Sequence, residues 1–223
     1  MARPPNVEAA AAMEAAARRA FAEVGVDAAR VEDIARAAGL SKASFYVYFE
    51  SKSALFASLI QRFLGACQAC ADRRHTEMTA LHAAVGACDA RDWATRSPRY
   101  EAFASLDHRF TLEILGLLWE WRDMLESLLE HASSEHRPLV DTLTQLTLST
   151  LTERLDEAMR QGFLRRDLDP ELASEILLGA YLQLGRRMYR LSGPPDLERW
   201  ARTVETVLNE GLRPTDAPQG DDR

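Results

Sequence analysis

Apolar residues recur at three- and four-residue spacing along this chain from Val7 to Leu212, and no stretch keeps the strict alternation of a half-buried strand. That period leaves one way to build a core, helix packed on helix, so the expected class is all-α. Glycine and proline set the helix lengths. A first helix is predicted from about Val7 to Val24, with Met13, Ala17, Ala20 and Phe21 on its buried side and Gly25 as its stop. Short helices follow at about 31–38 and 42–49, and Ser51 is placed to cap a long fourth helix reaching about His75. Further helices are predicted at about 78–88, 98–107, 109–132, 138–162, 170–191 and 196–211, which makes about nine or ten in all. Pro98, Pro138, Pro170 and Pro194–Pro195 stand near helix starts, where proline is tolerated, while Gly162 and Gly193 close the helices before them. Residues 213–223 are polar and aperiodic, the pattern of a disordered tail.

Charge divides the chain unevenly. The net charge is −7, so the surface as a whole should repel nucleic acid and anionic membrane. Residues 1–55 nevertheless carry seven Lys/Arg against seven Asp/Glu, and all of the excess acid lies beyond them. The N-terminus, Met-Ala-Arg-Pro-Pro-Asn, has no apolar core of a signal peptide, and no run approaches 18 uninterrupted apolar residues. Three cysteines, an odd number, fit a reducing compartment better than a disulfide framework. The expectation is a cytoplasmic protein with no membrane partner.

The stretch from Gly39 to Lys52 carries the chemistry. It holds both lysines of the protein, Lys42 and Lys52, and four aromatics in five positions, Phe45, Tyr46, Tyr48 and Phe49. A short helix, the turn Gly39-Leu40-Ser41 and a second short helix form a helix-turn-helix, with Gly39 suited to a left-handed turn position. Ile34, Leu40 and Phe45 supply the apolar plug, and Ala35 lets the helices cross closely. At 100° per residue Phe45 and Phe49 face the plug and Ala43 and Val47 lie opposite. Ser44 and Tyr48 take one flank and Tyr46 the other. Small apolar groups flanked by hydroxyls suit a major groove, where Ala43 and Val47 meet thymine methyls and Ser44, Tyr46 and Tyr48 hydrogen-bond bases or phosphates. Ser41, Lys42 and Lys52 are expected along the sugar-phosphate backbone.

These residues resemble the DNA-binding domain of the TetR family of bacterial transcriptional regulators. The resemblance runs from Ala20-Phe21-Ala22-Glu23-Val24-Gly25 through Val31-Glu32-Asp33-Ile34-Ala35 and Ala38-Gly39-Leu40-Ser41-Lys42. It continues through Ser44-Phe45-Tyr46, Tyr48-Phe49 and Ser51-Lys52 to Leu55-Phe56. The stretch Gln161-Gly162-Phe163-Leu164-Arg165-Arg166-Asp167-Leu168-Asp169-Pro170-Glu171 matches the family in style. The resemblance implies operator contact by Ser44, Tyr46, Tyr48 and Lys52. It implies a three-helix DNA-binding domain over 7–67 and a larger helical ligand-binding and dimerisation domain over 68–212. Two departures stand out. Ala29 and Arg30 replace the family's hydroxyl cap on the first motif helix, with Arg30 left to hold phosphate, and only Arg3 remains of the basic residues ahead of the first helix.

The body is read more coarsely. The helix from Arg109 is apolar nearly all round between Ile114 and Trp121. Phe103, His108, Phe110, Glu113, Trp119 and Glu120 are candidates to line an apolar effector cavity, joined by Gln183, Arg187 and Tyr189 from a later helix. The small-molecule effector itself is implied by the resemblance. Leu139, Leu143, Leu146, Leu151, Leu155 and Met159 repeat at helical spacing, and Gly179, Ala180 and Gly185 permit close approach. Helices 138–162 and 170–191 are therefore candidates for a homodimer interface, with packing inside the chain as the alternative. A dimer is what a two-fold operator asks for. Cys67 and Cys70 share a helix face, which leaves a redox- or metal-responsive DNA binder as an alternative; small core hydrophobes are the commoner role. Glu130-His131 and Glu135-His136 read as a solvated helix end. No catalytic motif, cofactor loop or metal site is present in the pattern, so a helical enzyme is the outside reading. The leading expectation is a dimeric repressor on double-stranded operator DNA, released by a small apolar or aromatic ligand.

Overall fold

The computed structural model describes residues 7–130, 136–209 and 211. Among them are ten α-helices, one π-helical turn and no strand: α1 (Val7–Ala28), α2 (Val31–Ala37), α3 (Lys42–Tyr48), α4 (Lys52–Val85), α5 (Ala90–Thr95), α6 (Pro98–Glu120), α7 (Arg122–Glu130), α8 (Arg137–Arg160), α9 (Pro170–Tyr189) and α10 (Leu197–Val204), then the π-helical turn at Glu205–Asn209. Gly25 ends the regular part of α1 at φ 80°, a left-handed value that glycine adopts without steric cost. Ser51 caps α4, its hydroxyl accepting the Ala54 N–H at 3.0 Å.

Several boundaries differ from the periodicity reading. α4 runs unbroken to Val85, through the gap expected after His75, because residues 75–78 contain neither glycine nor proline. It stops where Gly86 takes φ 81°. Helix α5 is additional, started by a reciprocal cap in which Asp89 and Asp92 each accept the other's backbone N–H. The break expected near His108 falls instead at Trp121, so α6 is one helix through Asp107 and His108. Gly193 lies beyond the end of α9 and keeps an ordinary backbone.

The fold comprises two compact units. One contains Met1–Cys67, Leu117–Thr144 and Leu182–Ser192; the other contains Gln68–Gly116, Gln145–Tyr181 and Gly193–Arg223. In the first, Met13, Ala17 and Phe21 of α1 are fully buried with Leu55, Phe56 and Leu59 of α4, while Ala20 is only half-buried. Phe21 and Phe56 meet edge to face at 5.5 Å. Burying side chains of this size stabilises by roughly 1.5–3 kcal/mol each. Arg18 closes the rim, stacked 4.5 Å over Trp121 and donating to Asp123 from Nε and Nη2. α4 is the one helix among the described residues long and apolar enough to cross a bilayer. Leu55, Phe56, Leu59, Ile60 and Phe63 are buried in the first unit, the pattern of a core helix. His136 corrects the expectation of a solvated helix end: it is buried, with its ring edge-on to Phe56 at 5.0 Å. His131 and Glu135 lie outside the described residues, as does the tail 213–223.

In the second unit Leu155 and Met159 of α8 pack with Ala173 of α9, sheathed by Leu151, Leu164, Leu168 and Leu177. The Thr152 and Ser174 hydroxyls meet at 2.7 Å across the same pair. Half of the leucine stripe read as a dimer candidate thus packs within the chain. Ion pairs Arg73–Glu113, Arg74–Asp107 and Arg109–Glu77 join α4 to α6.

Candidate nucleic-acid interface

Helix α2 begins at Arg30 with no side-chain cap, as the missing hydroxyl predicts; Glu32 and Asp33 in its first turn offset the exposed N–H groups electrostatically. It ends on a glycine turn. The Leu40 N–H returns to the Ala35 carbonyl at 2.8 Å and Gly39 N–H to Arg36 at 3.0 Å, with Gly39 at φ 71°. Ser41 then starts α3, its Oγ accepting the Ser44 N–H at 3.1 Å and lying 2.9 Å from the Ser44 hydroxyl.

The turn chemistry fixes which way α3 faces. Phe45, Ile34 and Ala35 have no exposed surface, and Phe49 lies 5.5 Å from Phe45 on the same inner side. Ala43, Tyr46 and Val47 point away from the plug; Tyr46 is 53% exposed and Val47 66%. Ser44, Tyr48, Leu40 and Phe49 are half-buried. A seven-residue helix with a fully buried phenylalanine on one side and an exposed valine and tyrosine on the other presents a mildly apolar outer surface.

Three of the four cations around it are engaged within the chain. Lys42 Nζ lies 2.6 Å from Glu32 Oε1. Lys52 Nζ donates to the carbonyls of Asp27 and Ala29, each at 2.8 Å, tying the start of α4 to the turn between α1 and α2. Arg36 pairs with Asp33 at 2.5 Å. Arg30 is exposed at the start of α2. The sequence reading missed both lysine partners, because carbonyls 23 and 25 residues away and a carboxylate on another helix leave no periodic signal.

Residues 15–59 match the family model of bacterial regulatory proteins of the tetR family. The match identifies a helix-turn-helix domain of that family's type within the chain. The match covers α2, the turn, α3 and the cap of α4, the parts whose geometry is described above. A Bacillus subtilis (strain 168) relative, described as the uncharacterized HTH-type transcriptional regulator YdgC, is 27% identical over 199 residues, 89% of this chain and 90% of the relative. The fold resembles that of the fatty acid degradation regulator FadR from Bacillus halodurans, with a TM-score of 0.63 at 20% identity over 95% of this chain and 99% of that one. It also resembles the transcriptional regulator FadR from Bacillus subtilis, solved in complex with stearoyl-CoA. There the TM-score is 0.60 at 18% identity over 92% of this chain and all of the other. These likenesses are to bacterial transcriptional regulators.

The effector candidates divide between the two units. Phe103, His108, Phe110 and Glu113 belong to the second; Trp119, Glu120, Gln183, Arg187 and Tyr189 belong to the first. In the second unit Phe103 packs 6.1 Å from Phe163, Phe110 is buried under Arg109, and Glu113 pairs with Arg73. His108 bridges two carboxylates, Nδ1 to Glu205 at 3.0 Å and Nε2 to Glu198 at 3.1 Å. Burial works against its protonated form, but hydrogen bonds and charge from Glu205 and Glu198 prevail and raise its pKa above the usual 6.5. In the first unit Trp119 lies 3.9 Å beneath the Arg122 guanidinium, and Glu120 and Gln183 are exposed with Arg187. Burial and the nearby Glu126, Glu23 and Asp123 carboxylates raise the Tyr189 pKa. An open cleft of about 480 Å³ on the second unit, lined by Glu77, Leu81, Ala102, Ser105, Leu106 and Arg109, includes none of the nine candidates.

The cysteines do not favour a sensor. Burial, with Glu113 nearby, pushes the Cys70 thiol up to about 11, and burial beside Asp92 does the same for Cys88. A thiol held protonated at neutral pH is a poor nucleophile and a poor metal ligand. Among the described residues no group of three or more His, Cys, Asp or Glu is arranged to hold a metal.

Proposed function

We propose that the protein is a dimeric repressor that seats α3 in the major groove of a two-fold operator and leaves it when a small apolar ligand binds the helical body. The observation that carries this reading is the sidedness of α3. Phe45 is fully buried, and the side away from it is exposed through Ala43, Tyr46 and Val47. In this reading Ala43 and Val47 contact thymine methyls and Tyr46 and Ser44 reach base edges or phosphates. Ser41, Tyr48 and Arg30 flank them on the backbone, together with Lys42 once it leaves Glu32. Lys52 has two of its three donors on carbonyls, so one remains for phosphate. Residues 7–67 form the reading domain and 68–212 the sensing and dimerising domain.

Dimerisation through α8 and α9 is supported by what the second unit leaves uncovered. Leu146 of α8 and Leu172 and Ile176 of α9 are more than half exposed, and Gly179 lies on the same stripe as the last two. An apolar effector is supported by the aromatic content of α6 and by the stearoyl-CoA complex of the similar FadR fold. The candidates Phe103, His108, Phe110, Glu113, Trp119, Glu120, Gln183, Arg187 and Tyr189 define the positions to probe for it. A ligand acts only if it binds one arrangement of the reading heads better than the other. The test is selection of genomic DNA fragments by the purified protein, followed by a ligand panel that includes stearoyl-CoA. Enrichment of inverted repeats with half-sites spaced by whole helical turns supports the reading; enrichment no better than random fragments refutes it.

A further inference from the structure

We propose that Glu32 is a built-in competitor for the DNA backbone, holding Lys42 until phosphate displaces it, so that it sets the strength of operator binding rather than its sequence. This rests on the reading of α3 as the operator contact. Lys42 opens α3 and Glu32 sits in the first turn of α2, so their 2.6 Å ion pair spans the two motif helices beside the exposed face. The pair is solvent-accessible, with 54% and 39% of the two side chains exposed, so it can open without unfolding anything. Each partner favours the other's charged form, lowering the Glu32 pKa and raising that of Lys42.

Several other cations of the reading head are also engaged within the chain, while Arg19 and Arg30 are exposed. Arg18 is held by Asp123 and Arg36 by Asp33, while Lys52 rests on two carbonyls. Phosphate therefore meets cations that already have partners in the chain beside the exposed Arg30, and Lys42 must leave Glu32 to take part. Such an exchange blunts salt dependence. A lysine moving from bulk solvent to phosphate releases a DNA counterion; one moving from Glu32 leaves behind a carboxylate that recruits a cation.

Glu32→Gln keeps the shape and removes the charge. It should bind an operator fragment and a random duplex alike about two- to tenfold more tightly at 0.1 M salt. The slope of log K against log salt should steepen by up to about 0.9. Asp33→Asn, the same charge change one residue along on an exposed carboxylate paired with Arg36, is the control and should gain less. In a Lys42→Met background the Glu32→Gln gain should fall to the control's level. Thermal unfolding of each full-length variant checks that the fold is kept. A Glu32→Gln affinity no greater than that of Asp33→Asn overturns the proposal, as does a gain that survives Lys42→Met. Wild-type protein that binds no duplex even at low salt would instead remove the reading beneath it.

Discussion

Replacing Lys52 by methionine separates two roles that its position alone cannot distinguish. The methionine keeps the apolar stem and loses the ammonium, and with it the two 2.8 Å bonds to the carbonyls of Asp27 and Ala29. Hydrogen bonds to a charged group contribute about 1.5–3 kcal/mol each when well sheltered. Here one is exposed and the other partly buried, and the released carbonyls can turn to water. The expected loss is therefore about 1–2 kcal/mol rather than the full sum. It should appear in urea unfolding as a lower midpoint with an unchanged slope. Amide exchange should quicken first around residues 26–34, where the tie is lost. DNA binding gives the second readout. If Lys52 acts mainly by fixing the entry to α2, affinity falls while the salt slope stays within about 0.3 of wild type; loss of a phosphate contact would flatten it by about 0.9. Stability within 0.5 kcal/mol of wild type, roughly the scatter of surface substitutions, would refute the argument that these carbonyl bonds matter.

Other outcomes follow from the same structure. Phe45→Ala should destabilise by about 3–5 kcal/mol, as loss of a fully buried ring does, whereas Val47→Ala on the opposite side should stay within about 0.5 kcal/mol; equal effects in denaturation would contradict the assigned faces. The His108 pKa is raised, so the stability it supplies is complete below pH 6.5 and is lost as pH rises through its folded value. His108→Gln should therefore cost about 1 kcal/mol at pH 6 and less at pH 9, and a gap that widens with pH would disprove the double carboxylate clamp. Ile176→Glu puts a charge on the exposed stripe of α9 and should convert a dimer to a helical monomer in sedimentation. A dimer that persists would move the interface elsewhere.

Local rules carried far in this chain. Gly25 and Gly39 take positive φ, Ser41 and Ser51 cap their helices, and α3 turns Phe45 inward and Val47 outward, because each of these is decided within a few residues. What escaped the sequence is decided across the fold. Lys42 and Lys52 looked like cations reserved for phosphate until tertiary packing brought Glu32 and two carbonyls beside them. Leu155 and Met159 looked as suitable for a partner chain as for α9, since an apolar stripe does not say which surface will cover it. The division of the effector candidates between two units likewise depends on contacts far apart in sequence.

In the proposed function the exposed side of α3 reads DNA. The direct measurement is an equilibrium binding isotherm of Tyr46→Ala against wild type, on a selected genomic fragment and on a random duplex at two salt concentrations. Tyr46 is 53% exposed, so its truncation leaves the fold intact. Affinity for the selected fragment should fall about tenfold or more while random binding changes little, so that discrimination between the two collapses. Unchanged discrimination by a folded Tyr46→Ala protein would contradict it.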